Sequence, residues 1–486
     1  MPNETKNYDL VIIGGGPAGI VAATTATSAN KKIAVVDCHH QLGGAGINTG
    51  TVPSKTLRET ALALSGLQSR DLYGVDLSLR REVTIRDFLG HEQHVKAIFN
   101  EAFLKQLDHP SSDVIFGDAA FVDANTVSVQ LLRGLLGEPA PAEPNRVLRG
   151  EKILIATGSS PVRPPLFSFE GEVYDSDSIL NLHKIPKTLA VIGAGVIGSE
   201  YACTFTALGA KVHLIDGRSQ LLPFLDSEVS QALTAALERS GVIFHWNQRV
   251  QRCDNPGSGP VTLTFASGET LTVDALLVAA GRKSNVDTLG LPKAGVATGD
   301  RGLIPVNDHY QTNVPHIYAA GDVIGFPALA STSMEQARRA VAHALDLPNG
   351  ALSPLLPNGI YTIPEVSMVG ETEESLKKKG IDYVVGRSNY SDNARGQIIG
   401  DKHGFLKLLF RREDMRLVGV HVIGELATEV VHIGLIAMIN NASAGLFVEA
   451  CFNVPTLGML YKTATLAALR ESGVSHAQAA PTGPRA

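Results

Sequence analysis

The chain carries one hydrophobic pattern twice: a short apolar run, three spaced glycines, and then a run of small residues. The two copies read "DLVIIGGGPAGIVAA" and "LAVIGAGVIGSEYA". The glycines occupy equivalent positions, namely Gly14, Gly16 and Gly19 in the first copy and Gly193, Gly195 and Gly198 in the second. Short apolar runs that end at a glycine turn are typical of buried strands, and small residues after the turn favour a closely packed helix. The pattern predicts two strand–turn–helix units.

An acidic residue follows each unit at the same distance. The next apolar runs, "KKIAVVD" and "AKVHLID", end in Asp37 and Asp216, and each acid lies 23 positions after the first glycine of its unit. In a dinucleotide-binding unit the second glycine lets backbone N–H groups approach a pyrophosphate, and the acid binds a ribose hydroxyl. The repeated spacing therefore predicts two dinucleotide sites.

Two further apolar runs end in residues that suit the edge of an α/β sheet. "KILIATGSS" ends in Thr157 and Gly158, and "HIYAAGDVIG" ends in Gly321 and Asp322. Ligands of open α/β sheets bind at the carboxyl ends of the strands. These residues are therefore candidates for contact with a bound dinucleotide.

Composition narrows the class of protein. The chain has 486 residues, of which 44% are hydrophobic and 19% charged, which suits about three globular domains. A net charge of -6 argues against a nucleic-acid binder, and no apolar run is long enough to cross a bilayer. The start of the chain shows no leader pattern, so we expect a cytoplasmic protein. The cysteines have neither a CxxC spacing nor a metal-site spacing, and we expect each to be a small buried residue: Cys38, Cys203, Cys253 and Cys451.

The segment 42–59, "LGGAGINTGTVPSKTLRE", combines four glycines with a lysine but contains no cysteine or histidine. Its glycines would let the backbone lie close to a ligand. The "HEQH" segment at 91–94 lacks a third ligand, and we interpret it as a solvated helix face.

As a set, "GGGPAG", "LGG…PSK", "ATG", "GAGVIGSE", "AAGRKSN" and "AAGD" resemble the pyridine nucleotide-disulfide oxidoreductase family, the flavoproteins with two dinucleotide-binding domains. The resemblance implies an α/β fold with Rossmann-like FAD and NAD(P) domains and a C-terminal α+β dimerisation domain. It also implies a homodimer, and it gives the domain boundaries as FAD domain 1–160 and 285–350, NAD(P) domain 161–284 and dimerisation domain 351–470. The composition of the last residues predicts a disordered tail, 471–486.

The resemblance also implies roles for individual residues. Lys55 and Glu200 would be catalytic, placed together beside the reactive flavin nitrogen, where a cation stabilises the charge of reduced flavin. The remaining residues implied to contact FAD, NAD or NADP are the fingerprint glycines and acids together with Gly44, Thr51, Ala119, Thr157, Gly158, Arg218, Gly281, Arg282, Gly321, Asp322 and Ala330. Asp216 favours the free 2′-hydroxyl of NAD, whereas Arg218 suits the 2′-phosphate of NADP.

The groups that reduce a disulfide in this family are missing. The two cysteine positions of the glycine loop are Gly46 and Thr51, and the C-terminal histidine and glutamate positions are Val454 and Met459. Thr51 and Asn453 resemble the soluble transhydrogenase subgroup, although that subgroup usually keeps the first cysteine and the glutamate. We therefore expect an enzyme that moves hydride between NADPH and NAD+ through FAD, and not a disulfide reductase.

Two alternatives stay open at this point. The changes at Gly46, Val454 and Met459 fall near the flavin face opposite the nicotinamide, and they would suit an NAD(P)H reductase that acts on a quinone, oxygen or another small acceptor. A protein that binds the cofactors without catalysis is the third interpretation.

Overall fold

The described strands form two largely parallel sheets with the same strand order, one five-stranded antiparallel sheet, and two small antiparallel sheets of three and two strands. The structure is a computed structural model that describes residues 5–65, 83–132, 145–350 and 353–473. The strands are β1 (Thr5–Ile13), β2 (Ile33–Asp37), β3 (Ser112–Phe121), β4 (Thr126–Leu131), β5 (Asn145–Ile155), β6 (Ser159–Pro161), β7 (Val173–Asp175), β8 (Thr188–Ile192), β9 (Lys211–Asp216), β10 (Ile243–Trp246), β11 (Val250–Asp254), β12 (Val261–Phe265), β13 (Thr270–Val273), β14 (Ala275–Val278), β15 (Arg282–Ser284), β16 (Ile317–Ala319), β17 (Asn358–Ile360), β18 (Val366–Gly370), β19 (Tyr383–Asn389), β20 (Phe405–Arg411) and β21 (Leu417–Ile423).

Helices cover the faces of the sheets, and two of them begin directly after the predicted glycine turns. They are α1 (Pro17–Ser28), α2 (Gly44–Asn48), α3 (Thr51–Ser65), α4 (Ile85–Leu107), α5 (Val196–Ala207), α6 (Ser227–Ser240), α7 (Ala330–Ala344), α8 (Glu373–Lys379), α9 (Ala394–Ile399), α10 (Ala427–Ile439), α11 (Ala444–Glu449) and α12 (Met459–Ser472). None of the described helices is long and apolar enough to cross a membrane.

The first sheet has the parallel order β3–β2–β1–β5–β16. Its central strands are buried on both faces, which explains why they read as continuous apolar runs rather than alternating ones. The order in which strands are added to the sheet reverses beside β1, and in open sheets this switch point is where a ligand binds. Both Gly14 and Asp37 lie at the carboxyl ends of their strands, on this edge.

The second sheet repeats the order as β10–β9–β8–β14–β7, also entirely parallel. Gly193 follows β8, and Asp216 ends β9, so the second fingerprint occupies the same place in its sheet as the first. The matching positions of the glycines and acids in the sequence thus reflect two copies of one supersecondary unit.

A two-stranded ribbon connects the sheets. β6 pairs antiparallel with β15, and the chain between them contains the whole second sheet. Because β16 then pairs with β5, the second unit is inserted between two neighbouring strands of the first sheet. The exact domain boundaries given above stay a prediction.

The last part of the chain forms an antiparallel sheet in the order β17–β18–β21–β20–β19, with α10 and α12 packed against it. Several large apolar side chains of this region are exposed in the single chain: Ile433, Ile436, Ile439, Leu446 and Val454. Such an apolar surface is what a subunit interface would cover.

A buried cluster of charges joins the inserted unit to the C-terminal sheet. The side chain of Lys407 on β20 is 1% exposed and contacts Asp226, Glu228 and Glu373. The Nζ–Oδ1 distance to Asp226, which is equally buried, is 2.9 Å. Since Asp226 and Glu228 lie at the start of α6, this cluster fixes the second sheet against the C-terminal one.

Two expectations about the cysteines and the tail meet different outcomes. Cys203 is buried and Cys253 half-buried, but Cys38 and Cys451 are exposed, so the expectation of a buried side chain is wrong for those two. Cys38 directly follows β2, beyond the packed strand. The predicted tail begins at 471, yet α12 extends to Ser472, and residues 474–486 lie outside the described residues.

Candidate functional site

The first and third glycines of both turns are too crowded for a side chain. A Cβ atom on Gly14 would lie 2.3 Å from the Ala156 carbonyl oxygen, and one on Gly19 would lie 1.8 Å from the Gly14 oxygen. In the second unit a Cβ on Gly198 would lie 1.9 Å from the Gly193 oxygen. Gly14 and Gly193 also have φ values of +110° and +101°, which favour glycine. The sequence is therefore built for a tight turn and a close helix in both units.

The middle glycine of each turn faces space rather than protein. A Cβ on Gly195 would meet no described atom within 4 Å, and one on Gly16 would meet only the Cα of Gly44, at 3.7 Å. Neither α1 nor α5 receives a side-chain cap from the described residues, so the N–H groups of their first turns remain available. A pyrophosphate at a helix N-terminus needs this combination of open space and free donors.

The two acids make equivalent contacts. Asp37 accepts the N–H of Gly15 at 2.7 Å and that of His39 at 2.8 Å. Asp216 accepts the N–H of Ala194 at 2.7 Å and that of Arg218 at 2.8 Å. Each carboxylate thus holds its glycine turn against the end of the neighbouring strand, which is where a ribose would lie.

A cation follows each acid by two positions. A hydrogen bond to Asp37 raises the pKa of His39 to about 10, and the contact with Cys38 adds to this. Arg218 bonds to both oxygens of Asp216, at 2.9 and 2.7 Å. Burial alone would raise the pKa of Asp216, but the Arg218 and Ala194 hydrogen bonds hold it below its usual value.

Lys55 and Glu200 meet although 145 positions separate them. Lys55 Nζ lies 2.7 Å from Glu200 Oε2, and the two side chains are 25% and 7% exposed. Glu200 Oε1 accepts the N–H of Tyr361 at 2.9 Å, and the Lys55 ammonium lies 4.9 Å from the centre of the Tyr361 ring. The loop helix α3, the fingerprint helix α5 and the C-terminal region therefore converge on one oriented lysine.

The glycine loop has no room at Gly46. A Cβ there would lie 2.6 Å from Cγ of Pro17, the first residue of α1. Thr51, at the other cysteine position, begins α3 and is exposed. Gly46 therefore allows contact with α1 and does not create a cavity.

Comparison with known proteins decides the family. The sequence model described as "Pyridine nucleotide-disulphide oxidoreductase" matches residues 8–344, and the model of the family's dimerisation domain matches residues 356–465. The chain belongs to the pyridine nucleotide-disulphide oxidoreductase family. The predicted family and the α/β fold class are confirmed, and the protein is an oxidoreductase.

Curated relatives match over nearly the full chain. A protein of Mycobacterium bovis named soluble pyridine nucleotide transhydrogenase is 45% identical over 95% of this chain and 97% of its own length. A protein of the same name from Aliivibrio fischeri is 39% identical over 96% of this chain and 98% of its own. The chain's relatives thus include members of the soluble transhydrogenase subgroup that its sequence resembles.

Solved structures of the family share the fold. The flavoprotein disulfide reductase RclA of Escherichia coli, in its Cu(II) complex, superposes with a TM-score of 0.84 at 27% identity, covering 95% of this chain and 99% of that one. LpdA of Mycobacterium tuberculosis superposes with a TM-score of 0.85 at 25% identity over the same shares. These two structures thus share the fold of this chain over nearly its whole length.

Family membership implies that the protein binds FAD and NAD(P), and the residues of both turns fit a dinucleotide. Three features of the structure support this fit: the uncapped helix N-termini, the crowded first and third glycines of each turn, and the acid beside each turn. The fold places Gly44 against Gly16, which makes two side-chain-free backbones face each other at the first site.

The other predicted residues form a connected group at the ribbon. The Ser159 hydroxyl donates to Asp322 at 2.6 Å and accepts from Arg282 Nε at 2.8 Å. Thr157 donates to the Asn285 carbonyl at 2.7 Å, and the N–H of Asn285 donates to the Gly158 carbonyl at 3.0 Å. The strand ends that the sequence singled out are thus tied to the crossover between the sheets.

The remaining candidates occupy distinct places. Gly321 has a φ of +84° and donates its N–H to Gln336 on α7, the helix that Ala330 begins, without a side-chain cap among the described residues. Gly281 has a φ of +101° next to the ribbon, and no described atom lies within 4 Å of a Cβ placed there. Ala119 is half-buried on β3, opposite Val129 on β4.

Sequence reasoning missed several residues that complete these contacts. These residues are Pro17, Ser159, Asn285 and Tyr361, and each acts through a partner distant in the chain. Pro17, Ser159 and Asn285 lie within the runs "GGGPAG", "KILIATGSS" and "AAGRKSN", where other residues were singled out. Their contacts, like that of Tyr361, carry no signal that periodicity or spacing would reveal.

Proposed function

We propose that the protein is a FAD-dependent oxidoreductase that transfers hydride between NADPH and NAD+. NADPH is oxidised to NADP+, NAD+ is reduced to NADH, and the hydride passes between them. The observation that carries the proposal is the intact Lys55–Glu200 pair at the junction of the two dinucleotide units, on a loop whose disulfide positions are Gly46 and Thr51. The names of the curated relatives support the same activity.

When bound, the flavin ring supplies the site that accepts and returns the hydride. The chain's own groups orient and stabilise. Lys55 holds a positive charge where the loop meets α5, and Glu200 fixes its direction and limits the net charge of the pair. Tyr361 anchors Glu200 through its N–H and presents its ring to the lysine.

We further propose that the enzyme is not a disulfide reductase. All four positions that carry electrons or protons to a disulfide in the family differ: Gly46, Thr51, Val454 and Met459. Val454 is 69% exposed in the single chain, and Met459 only begins helix α12. We also propose a cytoplasmic homodimer, which the match to the dimerisation domain and the exposed apolar side chains of the C-terminal region support.

A direct assay tests the hydride transfer. Purified holoenzyme is mixed with NADPH and a thio-analogue of NAD+, and formation of the reduced analogue is followed. The proposal expects flavin-dependent formation of that product, together with no reduction of small disulfides. A protein that passes electrons only to quinones or oxygen would be a different reductase. A bound flavin that NADH and NADPH never bleach would mean a non-catalytic protein.

The contact between Gly46 and Pro17 speaks against the quinone reductase. That alternative needs the missing cysteine to leave room for an acceptor beside the flavin. The Pro17 ring instead lies 2.6 Å from where a Cβ of residue 46 would be, so α1 already occupies the position.

A further inference from the structure

The acid of the second dinucleotide unit has its hydrogen-bonding capacity filled. Asp216 Oδ1 accepts the N–H and Nε of Arg218, at 2.8 and 2.9 Å. Its Oδ2 accepts the N–H of Ala194 and Nη2 of Arg218, both at 2.7 Å. A carboxylate offers about four lone-pair positions. A ribose hydroxyl can therefore bond to Asp216 only when the side chain of Arg218 withdraws.

A second guanidinium lies over the same turn. Arg249 Nε is 3.4 Å from the position that a Cβ of Gly217 would take, an ordinary contact distance, so the side chain of Arg249 lies directly beside this turn. Arg249 is exposed, and its guanidinium has no hydrogen-bond or ion-pair partner within the described chain. All the guanidinium donors of Arg249 are therefore unpaired within the described chain, and they lie beside the position expected for the ribose of a bound dinucleotide.

The backbone fixes Arg249 at this place. The N–H of Gln248 donates to the Asp216 carbonyl, and the N–H of Asn247 donates to the Arg218 carbonyl, both at 3.1 Å. Trp246, which directly precedes Asn247, pairs with Asp216 in the parallel ladder of β10 and β9. The position of Arg249 is therefore set by the second sheet and does not depend on a long loop.

Charge decides between the two arginines. The pair of Asp216 and Arg218 has no net charge, so it offers little attraction to a 2′-phosphate. Arg249 has no carboxylate partner in the described chain, and its planar fork of donors suits a phosphate. A cation suited to distinguish NADP(H) from NAD(H) therefore lies directly before β11, at Arg249, in addition to Arg218 in the predicted turn.

We propose that Arg249 binds the 2′-phosphate of NADP(H), while Arg218 acts as a switch on Asp216. With NADP(H), Arg218 stays on Asp216 and neutralises it. With NAD(H), Arg218 withdraws, and Asp216 accepts the 2′-hydroxyl. The inference rests on the proposed function, because it explains how one site accepts both nucleotides.

Binding of nucleotide fragments by the purified holoenzyme tests this. Isothermal titration compares 2′,5′-ADP with 5′-AMP. We expect Arg249→Ala to weaken 2′,5′-ADP by about tenfold or more, the scale of a lost charge-assisted contact, and to leave 5′-AMP unchanged. Arg249→Lys should recover part of the affinity, since it keeps the charge without the fork. Arg252→Ala, an exposed arginine of β11 paired with Asp254 at 2.7 Å, should change neither ligand.

Arg218→Ala separates the switch from a simple phosphate contact. It should tighten 5′-AMP, because Asp216 is freed for the hydroxyl, and weaken 2′,5′-ADP, because an unneutralised carboxylate then faces the phosphate. Equal effects of Arg249→Ala on both ligands, or no effect, would overturn the role of Arg249. Weaker binding of 5′-AMP by Arg218→Ala would overturn the switch.

These titrations involve no electron transfer, so they stand apart from the proposed activity. Normal hydride transfer with no selective effect of Arg249→Ala would remove this inference alone. A selective loss of 2′,5′-ADP in a protein that transfers no hydride to the thio-analogue would remove the proposed function alone.

Discussion

At the scale of single residues, the pair of Lys55 and Glu200 is the chemical centre of the candidate site. Replacing Lys55 by Met removes a positive charge that Glu200 orients at 2.7 Å. We expect flavin reduction by NADH to slow by roughly a hundredfold, the scale of losing one preorganised stabilising group. Anaerobic stopped-flow measurement of the flavin absorbance checks this. Lys105→Met is the control, since Lys105 forms an exposed pair with Glu101 at the same 2.7 Å distance. An unchanged rate for Lys55→Met would remove Lys55 from the mechanism.

The contact of Gly46 with Pro17 gives a second prediction at this scale. Gly46→Ala places a methyl group 2.6 Å from Pro17 Cγ, and such overpacking costs about 1–3 kcal/mol. We expect a lower thermal midpoint for the holoenzyme. Pro17→Ala removes the obstructing ring atoms, so the double variant should be more stable than the sum of the single effects indicates. Strict additivity of the two changes would contradict the contact.

At the scale of elements, the repeated strand–turn–helix unit was the part that the sequence predicted well. Both fingerprints, their acids and the parallel strands around them follow from local rules, because a glycine turn and a buried strand leave direct marks in the sequence. Lys55, Glu200 and Tyr361 meet through three separate elements, and only the family resemblance placed the first two together. Pro17 against Gly46, and Arg249 over Gly217, depend on packing between elements, for which spacing along the chain carries no signal.

The prediction at the scale of elements concerns the N-terminus of α5, which has no side-chain cap among the described residues. Gly195→Ala adds a methyl group where no described atom lies within 4 Å, and the backbone there has a φ of −83°, which alanine adopts easily. We expect no loss of stability without nucleotide, but a rise of about tenfold or more in KM for both NADH and NADPH, because the methyl group would lie in the path of the pyrophosphate. Steady-state kinetics and a melting curve measure the two effects. Gly90→Ala on α4, also with open space around it, should leave both KM values unchanged.

At the scale of the whole molecule, the Lys407 cluster links the inserted unit to the C-terminal sheet. Lys407→Met leaves Asp226, whose side chain is 1% exposed, without its cation. Removing one partner of a buried pair costs about 3–5 kcal/mol, and we expect a loss of that size in urea unfolding. Asp226→Asn combined with Lys407→Met should recover part of it, since the most buried of the three carboxylates around Lys407 then carries no charge. Lys379→Met, which breaks an exposed pair with Glu371, is the control. Equal stability of Lys407→Met and the parent chain would show that the cluster does not hold the sheets together.

The Lys407 cluster also makes the folding stability of the protein depend on pH in the acid range. Burial alone would raise the pKa of Glu373, but hydrogen bonds from Lys407 and Tyr383 lower it to about 2, from an ordinary value of 4.5. Because the folded pKa is lower than the unfolded one, this stabilisation is complete above about pH 4.5 and is lost as the pH falls toward 2. Glu373→Gln should therefore be less stable than the parent at pH 7, with a flatter acid limb. The two stability curves should converge near pH 2, where the parent's Glu373 also becomes neutral. Melting curves measured across this range check the convergence, with Glu101→Gln as an exposed control. A parallel offset at every pH would mean that Glu373 contributes through packing and not through its charge.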